Sequence, residues 1–401
     1  MSEIHLSIDP HDPIIARDAR PFGLGIRMKS LDWPYPSVLA GSVRTMLGKM
    51  NGNGFDPVTV AKLKKVSVSG PLPLYNKNNI ESLYLPAPLD IVVNDTDKNE
   101  PAVYPIRPSK TGDNEWCNLP DEKLLPAMIP ESVGDDFKPA EIAQFWSLKK
   151  MAEWLAHDSP DSFKVPLKTK KGGKKVDPDS GYIDLPEKES RIHVQIKPDT
   201  GTSDEGRLFE TIGLDFGAGD VRIAARVDTK DFIWKNSFHP IGGERRLAFW
   251  ESGRDPGWEC PGEITGALEG KKYARMILAT PAVFSNGWLP GWLDKETLCG
   301  TPPGLPENIE QKFTLTLKSA CVGRWKPLSG WDLQKKGPKP IRRLVPAGSV
   351  YFFEVTTGDP KDIAEKLWLR PVSDTIDDQN YSTDGFGLAL WGVWNADDKM
   401  K

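Results

Sequence analysis

A glycine-rich segment, Asp384-Gly385-Phe386-Gly387, leads directly into the apolar run 388–392 in the last part of the chain. Glycine has no Cβ, so such a loop allows backbone N–H groups to approach a ligand closely. A dinucleotide-binding fingerprint must open a helix inside a βαβ unit, and the nine residues after Gly392 are too few for a helix and another strand. We therefore expect the loop to lead into an edge or closing strand. A tight turn without a ligand is the simplest alternative.

Alternating apolar residues predict a strand at the start of the chain, where Ile4, Leu6 and Ile8 are separated by polar residues. A helix is predicted from Ser37, which can cap it and is followed by apolar residues at helical spacing. If the less regular stretch 51–189 is skipped, two strands, a helix and a strand follow at 192–196, 207–227, 262–268 and 273–280. This is the order of the split βαβ, or ferredoxin-like, motif.

A reduced second copy of the motif is predicted in the rest of the chain. Its strands, helix and last strand are expected near 313–319, 348–355, 360–367 and 388–394. We therefore predict an α+β chain of two ferredoxin-like domains. The first covers residues 1–285 with an insertion at about 51–189, and the second covers 286–401. Within the insertion, an amphipathic helix is predicted over 139–157.

The formal net charge is −4, so a nucleic-acid site would have to be a local basic groove on a nearly neutral chain. No apolar run is long enough to cross a bilayer, and residues 1–10 lack the features of a signal peptide, so we expect a cytoplasmic protein. The four cysteines form no C-x-x-C pair, and no histidine stands at ligand spacing from them. We expect inert thiols, no metal and no cofactor.

Four separated segments are rich in glycine, aromatic residues or arginine, and three of them contain arginine. They are Ala16-Arg17-Asp18-Ala19-Arg20-Pro21-Phe22-Gly23 followed by 33–44, Arg191-Ile192-His193-Val194-Gln195-Ile196 followed by 200–209, Ile241-Gly242-Gly243-Glu244-Arg245-Arg246, and Asp384-Gly385-Phe386-Gly387. In this order and spacing they resemble the RAMP proteins of CRISPR effector complexes, in particular the third-numbered subunit of the type III-B (Cmr) complex. The resemblance covers nearly the whole chain except the insertion.

The resemblance implies a two-lobed RAMP fold and a non-catalytic, RNA-binding role in antiviral defence. It implies binding of the 5′ repeat-derived tag of the CRISPR RNA (crRNA). It also implies contacts with the large polymerase/cyclase subunit and the backbone RAMP subunits, and only indirect contact with target RNA. The hairpin of the second segment resembles the RAMP thumb, which wedges against the guide–target duplex. Its tip residues would be Lys197, Thr200, Gly201, Thr202 and Gly206.

The residue types fit RNA, because single strands are bound by cations along the backbone and by flat side chains under unstacked bases. The candidate RNA-binding residues are Arg17, Arg20, Phe22, Arg44, Gly242, Gly243, Arg245, Arg246, Gly385, Phe386 and Gly387. The glycine pair would expose N–H donors to phosphate, and Phe386 would offer its ring to a base. The structural alternatives are an ion pair of Arg17 with Asp18, a solvated face at 244–246, an inward-packed Phe386 and an acid beside Arg44.

Two other functions remain open on the sequence. A RAMP endoribonuclease that processes precursor crRNA would need acid–base groups such as His5, His11 or His193, but none has a partner at a recognisable position. A tryptophan-rich carbohydrate-binding module would bind with little response to salt, whereas RNA binding weakens with salt.

Tryptophans and basic clusters in loops are candidate contacts for a partner subunit, because tryptophan is enriched in interface hot spots. These tryptophans are Trp258, Trp288, Trp292, Trp325 and Trp331. The basic clusters are 168–175 and the set Lys335, Lys336, Lys339, Arg342 and Arg343. Packing of the tryptophans over the sheet faces is the alternative.

Overall fold

A computed structural model describes residues 3–18, 30–52, 55–96, 101–111, 119, 123–130, 133, 138–158, 163–168, 176–217, 220–230, 232–332 and 336–396, without the side chains of 204–207. Within these ranges, no helix is both long and apolar enough to cross a membrane. The helices are α1 (Pro36–Met50), α2 (Pro57–Lys64), α3 (Leu148–Ala156), α4 (Gly262–Leu268), α5 (Glu307–Glu310) and α6 (Pro360–Leu367).

The strands of the first two thirds of the chain are β1 (Glu3–Pro10), β2 (Ser67–Lys77), β3 (Ile80–Pro86), β4 (Ile91–Asn94), β5 (Ala102–Pro105), β6 (Arg107–Pro108), β7 (Ala127–Met128), β8 (Phe145–Ser147), β9 (Tyr182–Ile183), β10 (Glu187–Ile196), β11 (Ser203–Asp215), β12 (Val221–Asp228), β13 (Ser237–Pro240) and β14 (Leu247–Gly253). Those of the remainder are β15 (Tyr273–Leu278), β16 (Cys299–Gly300), β17 (Thr314–Cys321), β18 (Lys326–Leu328), β19 (Trp331–Asp332), β20 (Gly337–Pro338), β21 (Arg342–Leu344), β22 (Val350–Thr357), β23 (Arg370–Pro371), β24 (Thr375–Ile376), β25 (Gln379–Asn380) and β26 (Leu388–Val393).

The N-terminal lobe is built on an antiparallel sheet with the strand order β13-β14-β1-β12-β2-β3-β8-β9. Leu6 of β1 lies opposite Ala225 of β12. Helix α1 starts at Pro36, whose fixed φ suits the first turn of a helix, and it buries Leu39 and Val43 completely. These side chains and the inner face of the sheet form one apolar core. The strand and the helix predicted at the start of the chain are thus confirmed.

The C-terminal lobe is built on a second antiparallel sheet, of order β16-β17-β22-β15-β26-β23. Helix α6 begins after Asp359, whose side chain accepts a hydrogen bond from the N–H of Lys361. The helix buries Ile363 and Leu367 completely in the large core cluster that contains β26. The second lobe therefore has its own sheet and a capped helix, at the positions predicted for that helix and for the last strand.

Strand β15 lies at the centre of the C-terminal sheet, where Met276 is opposite Tyr351 on one side and Trp391 on the other. The prediction that this strand closes the first domain, and with it a boundary after residue 285, is wrong. The fourth central strand of the first lobe is instead β14. Nearly every residue of β15 is buried, and a strand that is buried on both faces does not indicate by its pattern which sheet it joins.

The prediction that 51–189 is an insertion outside the first domain is wrong, because β2, β3, β8 and β9 of this range are strands of the N-terminal sheet. Other parts of the range contact the C-terminal lobe. The helix predicted over 139–157 is wrong in its first half, because residues 145–147 form β8 beside β3 and the Ser147 side chain caps α3 by accepting from the N–H of Lys150. Helix α3 contacts β3 of the first sheet and β26 of the second. A Cβ on Gly392 would lie 2.5 Å from a methyl carbon of Leu155, so glycine allows α3 to approach β26.

Buried charges connect the range 51–189 to β15. The Asp90 carboxylate lies 2.6 Å from a guanidinium nitrogen of Arg275 and 2.9 Å from one of Arg107. It also accepts a hydrogen bond from Trp154 Nε1 at 2.9 Å. Burial lowers the pKa of Arg275 to about 10, which leaves it charged at neutral pH. Removal of Asp90 would therefore leave buried positive charge without compensation.

Candidate nucleic-acid interface

Residues 14–17 overlap the first sequence motif and contact the third motif and the base of the hairpin that carries the second, and we call them the junction segment. The N–H of Ile14 donates to the carbonyl of Leu214 at 2.9 Å, at the base of the β10–β11 hairpin. The carbonyl of Ile15 accepts from the N–H of Gly243 at 2.7 Å, in the turn between β13 and β14. Backbone hydrogen bonds therefore join parts of the chain that are far apart in sequence.

The fourth motif reaches the junction segment through an apolar cluster. Ala16 is buried, and its carbonyl accepts from the N–H of Leu31 at 2.8 Å. The loop cluster around it consists of Ala16, Leu31, Tyr35, Val283, Leu328, Leu344, Tyr381 and Phe386. All four motifs thus converge on one region, although they are spread over more than 350 residues of the sequence.

The glycines of the third motif allow two backbone segments to touch. Gly242 has a φ of +74°, and a Cβ there would lie 2.5 Å from the carbonyl oxygen of Ile15. The N–H of Gly243 already donates to that carbonyl. The prediction that the glycine pair exposes donors to phosphate is therefore wrong for Gly243, because this turn packs against the junction segment.

The arginines that follow the glycine pair differ in exposure. Arg245 is exposed, and Arg246 is half-buried. The Nε of Arg246 is buried and has no hydrogen-bond partner within the described ranges. Arg17 is exposed on the junction segment itself. We call Arg17, Arg245 and Arg246 the junction cations; the other two candidates of the first motif, Arg20 and Phe22, lie outside the described residues.

The glycine-rich loop is buried, and its N–H groups are already used. The N–H groups of Gly385, Phe386 and Gly387 donate to the carbonyls of Ser382, Tyr381 and Pro281, at 3.1, 3.2 and 2.8 Å respectively. The Phe386 side chain is 0% exposed. The predictions that these glycines open the backbone to RNA and that Phe386 offers its ring to a base are therefore wrong. The alternative of an inward-packed Phe386 is what the structure contains.

The glycine-rich loop instead fastens the C-terminal lobe to the first one. A Cβ on Gly385 would lie 2.4 Å from the carbonyl oxygen of Val68 in β2. Arg44 of α1 contacts the same loop, with one guanidinium nitrogen 2.6 Å from the Asp384 carboxylate and another 3.1 Å from the carbonyl of Thr383. The structural alternative for Arg44, a local acid beside it, is present, and RNA binding by Arg44 stays a prediction.

The second motif forms the predicted hairpin. Strands β10 and β11 pair over most of their length, and we call residues 187–215 the hairpin ribbon. At its turn, the N–H of Lys197 donates to the carbonyl of Thr202, and the N–H of Gly201 donates back to Lys197, both at 2.9 Å. Thr200 is exposed in this turn, whereas Gly206 lies within β11 and not at the tip.

Exposed apolar side chains on the hairpin ribbon are a feature that sequence reasoning missed. Val194 and Leu208 are directly opposite each other and both are exposed, as are Ile192 and Ile196. Because successive residues of a strand face opposite sides, Ile192, Val194 and Ile196 share one face. The alternation was visible in the sequence, but alternation normally indicates a face that is buried within the same chain.

A cavity of about 410 Å³ opens between the two lobes. Trp33, Phe145 and several prolines line it, together with Lys326 and the acids Asp32 and Glu141. The apolar walls suit a flat group, but the acids disfavour phosphate. No sequence motif indicated this cavity, because its walls come from many short segments of both lobes.

The histidines do not form an acid–base pair. His5 and His11 lie six residues apart along β1 and its end, which corresponds to roughly 20 Å in an extended strand. His193 is on the hairpin ribbon, stacked on Phe209 at 5.1 Å, with Nε2 2.9 Å from the Thr211 hydroxyl. In the described part of the chain, no three His, Cys, Asp or Glu residues are grouped in a way that could hold a metal ion.

Two of the cysteines show why a reactive thiol is not expected. Burial raises the pKa of Cys260 to about 11 and that of Cys321 to about 12. Both therefore remain protonated at neutral pH, and a protonated thiol is a poor nucleophile and metal ligand.

The chain matches the family model for CRISPR-associated proteins called Cas_Cmr3 over residues 6–394. No curated protein matches it significantly. Among solved structures, a chain of the type III-B Cmr-beta bound to cognate target RNA is similar, with 14% identity over 87% of this chain and 86% of that chain and a TM-score of 0.43. A chain of the Csm3–Csm4 subcomplex of the type III-A CRISPR–Cas interference complex has 11% identity over 98% and 100%, with a TM-score of 0.38. These structural scores are too low to carry an inference about function.

Proposed function

The chain belongs to the Cas_Cmr3 family of CRISPR-associated proteins, and on this premise we propose that it is the non-catalytic RNA-binding subunit of a type III-B effector complex. In this role it holds the 5′ repeat-derived tag of the crRNA and joins the large polymerase/cyclase subunit to the backbone RAMP subunits. The observation that carries the proposal is the convergence of four separated motifs on the junction segment, beside three arginines that are exposed or half-buried.

We also propose that each lobe is a ferredoxin-like unit. The central strands lie in the order β14-β1-β12-β2 in the first lobe and β26-β15-β22-β17 in the second. Numbered along each lobe, both orders are fourth, first, third, second, as expected when the crossovers of a split βαβ motif pack on one sheet. The first lobe has helices α1 and α2 in its first crossover, and the second lobe has α6 in its second.

The tag would lie along the junction cations. A single-stranded phosphate backbone is bound by accessible guanidinium groups, and Arg245 and Arg246 follow a turn that is fixed to the junction segment. The buried glycine-rich loop would act indirectly, because it supports the loop cluster that contains Ala16. The tag bases would therefore meet side chains of the junction region and not the glycine-rich loop.

The hairpin ribbon would serve as the thumb. Its exposed apolar face has no phosphate-binding character, so it suits contact with a base pair at the start of the guide–target duplex. The alternative function, an endoribonuclease, would need a general acid and a general base at one phosphodiester, and the spacing of His5 and His11 does not provide this pair.

The test is the binding of RNA by the purified chain at several salt concentrations. RNA with the tag should bind more tightly than RNA with a scrambled tag, and intact RNA should be recovered. Arg245→Ala with Arg246→Ala should lower the slope of log affinity against log salt by about 0.7 for each phosphate that the variant no longer binds. Arg254→Ala is the matched control, because Arg254 is exposed at the opposite end of β14.

Three results would contradict the proposed function. The first is equal affinity for tagged and scrambled RNA. The second is metal-independent cleavage of repeat RNA that His5→Ala or His11→Ala abolishes, which would favour the endoribonuclease. The third is binding to sugars with a flat salt response, which would favour a carbohydrate-binding module.

A further inference from the structure

A second ribbon stands on the C-terminal lobe, separate from the junction cations. Strand β18 pairs with β21, and β19 pairs with β20 further along the same hairpin. We call residues 324–344 the basic ribbon. It contains seven basic residues and one acidic residue, a formal charge of +6 in a chain whose net charge is −4. A concentration of charge of this kind indicates an anionic partner.

The two faces of the basic ribbon differ in exposure. Leu328 and Leu344 are buried in the loop cluster with Ala16. Arg343 lies opposite Pro327 in the strand register and is exposed. The ribbon is therefore fixed by its leucines, and a cationic face remains in solvent close to the region where the sequence motifs converge.

Two tryptophans accompany these cations. The Trp325 side chain is 52% exposed and that of Trp331 is 58% exposed. The Arg343 guanidinium carbon lies 4.9 Å from the centroid of the Trp325 ring. A guanidinium on an indole face forms a flat, cationic platform.

The basic side chains of the ribbon are mostly not neutralised. Arg342 is paired with Asp377. By contrast, Arg324, Lys326 and Arg343 are exposed and form no ion pair within the described ranges. Exposed cations in this arrangement can bind phosphates without first breaking an internal pair.

We propose that the basic ribbon is a second binding site for single-stranded RNA, with a base stacked on Trp325 or Trp331 and phosphates on Arg324, Lys326 and Arg343. Alternating aromatic and cationic groups along a strand are how single strands are bound without sequence readout. The inference deepens the proposed function and rests on it for the identity of the RNA. The basic ribbon and the junction segment are close together, because Leu328 and Ala16 belong to the same loop cluster. The strand would continue from the junction cations to the ribbon.

The test uses Trp325→Ala with Trp331→Ala and, separately, Arg343→Ala in the full chain, with Trp288→Ala as the matched control. Trp288 is also exposed but lies outside the ribbon. The RNA probes are the tag alone and the tag extended by single-stranded guide. For the extended RNA, the tryptophan variant should bind roughly 5- to 150-fold more weakly, the effect of losing one stacked base. Arg343→Ala should lower the salt slope by about 0.7.

The outcomes separate this inference from the proposed function. Wild-type affinity of the folded ribbon variants for the extended RNA, with weakened binding by the Arg245→Ala and Arg246→Ala variant, would overturn the ribbon site alone. Ribbon-dependent binding without any preference for the tag would support the ribbon and overturn the tag function. If the ribbon variants keep RNA binding but lose a partner subunit from the purified effector complex, the ribbon is a protein-docking surface and the inference is wrong. Circular dichroism would confirm that each variant is folded.

Discussion

The hairpin ribbon and the basic ribbon are both two-stranded projections, yet their chemistry is opposite. The hairpin ribbon has seven acidic and four basic residues, a formal charge of −3, and exposes aliphatic side chains. The basic ribbon has a formal charge of +6 and exposes tryptophans. An acidic ribbon repels a phosphate backbone at long range, whereas a basic one attracts it. Under the proposed function, the hairpin ribbon would contact bases or protein, and the basic ribbon would bind the RNA strand.

The two ribbons are also attached differently. The hairpin ribbon is held at its base by backbone hydrogen bonds between Ile14 and Leu214 and by the side chain of Leu214, which is buried in the core of the N-terminal lobe. The basic ribbon is held by the burial of Leu328 and Leu344, so its position depends on the packing of the loop cluster. A substitution that disturbs the loop cluster should therefore affect the basic ribbon first. A substitution that destabilises both lobes should affect both ribbons.

The largest effect is expected for the buried ion pairs of Asp90, which contacts Arg107 and Arg275 of β15. Asp90→Ala should lower the free energy of unfolding by about 3–5 kcal/mol, because the buried charge of Arg275 would lose the carboxylate that compensates it. Arg107 would keep its ion pair with Asp158. Chemical denaturation measures this change, and hydrogen exchange should rise in both ribbons together. Lys150→Ala is the control, since it removes a surface pair with Glu153 and should change stability by less than about 1 kcal/mol. A loss of protection in only one ribbon would show that the lobes are independent.

The second-largest effect should differ between the two ribbons. Gly385→Ala should destabilise the chain by more than the about 1–2 kcal/mol of a left-handed backbone, since the new Cβ would lie 2.4 Å from the Val68 oxygen. Thermal unfolding measures the destabilisation, and exchange should rise more in the basic ribbon. Gly201→Ala is the matched control, because Gly201 also has a positive φ but no atom within 4 Å of a Cβ. Equal destabilisation in the two variants would remove the role assigned to the glycine-rich loop.

Much of the fold could be predicted from local patterns. The first strand, α1, the β10–β11 hairpin, α6 and the last strand each follow from apolar spacing and from the turn or cap residues that bound them. The membership of β15 could not be predicted, because its residues are buried on both faces and the pattern is the same for either sheet. The first half of the helix predicted over 139–157 failed for a related reason: Phe145 and Trp146 are buried in a strand beside β3.

The candidate site shows the same limit. Residue type alone did not distinguish a glycine that lets a ligand approach the backbone from one that lets another segment of the same chain approach it. Gly243 and Gly385 are of the second kind. The segments that pack against them contain Ile15 and Val68, which are more than 200 residues away in sequence. The ion pair of Arg44 could not be predicted for the same reason, since its partner Asp384 comes from the other end of the chain.

A smaller effect on stability is expected on the hairpin ribbon. Val194→Ser with Leu208→Ser should change the free energy of unfolding by no more than about 1 kcal/mol, since each exposed substitution usually changes it by less than about 0.5 kcal/mol. Affinity for the tag and its salt slope should stay at wild-type values. In the reconstituted complex, chemical probing should show altered pairing at the start of the guide–target duplex. If the variant instead weakens tag binding as much as the basic-ribbon variants do, the contrast between the ribbons is wrong.

The smallest effect concerns how the hairpin ribbon is attached. Lys188 Nζ lies 2.5 Å from the Asp32 carboxylate, and both side chains are about half exposed. Because water and salt screen such a pair, Lys188→Ala should cost less than about 1 kcal/mol, and the difference should vanish at high salt. Arg191→Ala, which removes the exposed pair with Glu189 in the same ribbon, is the matched control. Protection of the Ile14 and Leu214 amides from exchange should not change in either variant, because the N–H of each residue donates to the carbonyl of the other. A marked loss of protection in Lys188→Ala alone would mean that charge, and not strand pairing, holds the ribbon to the junction segment.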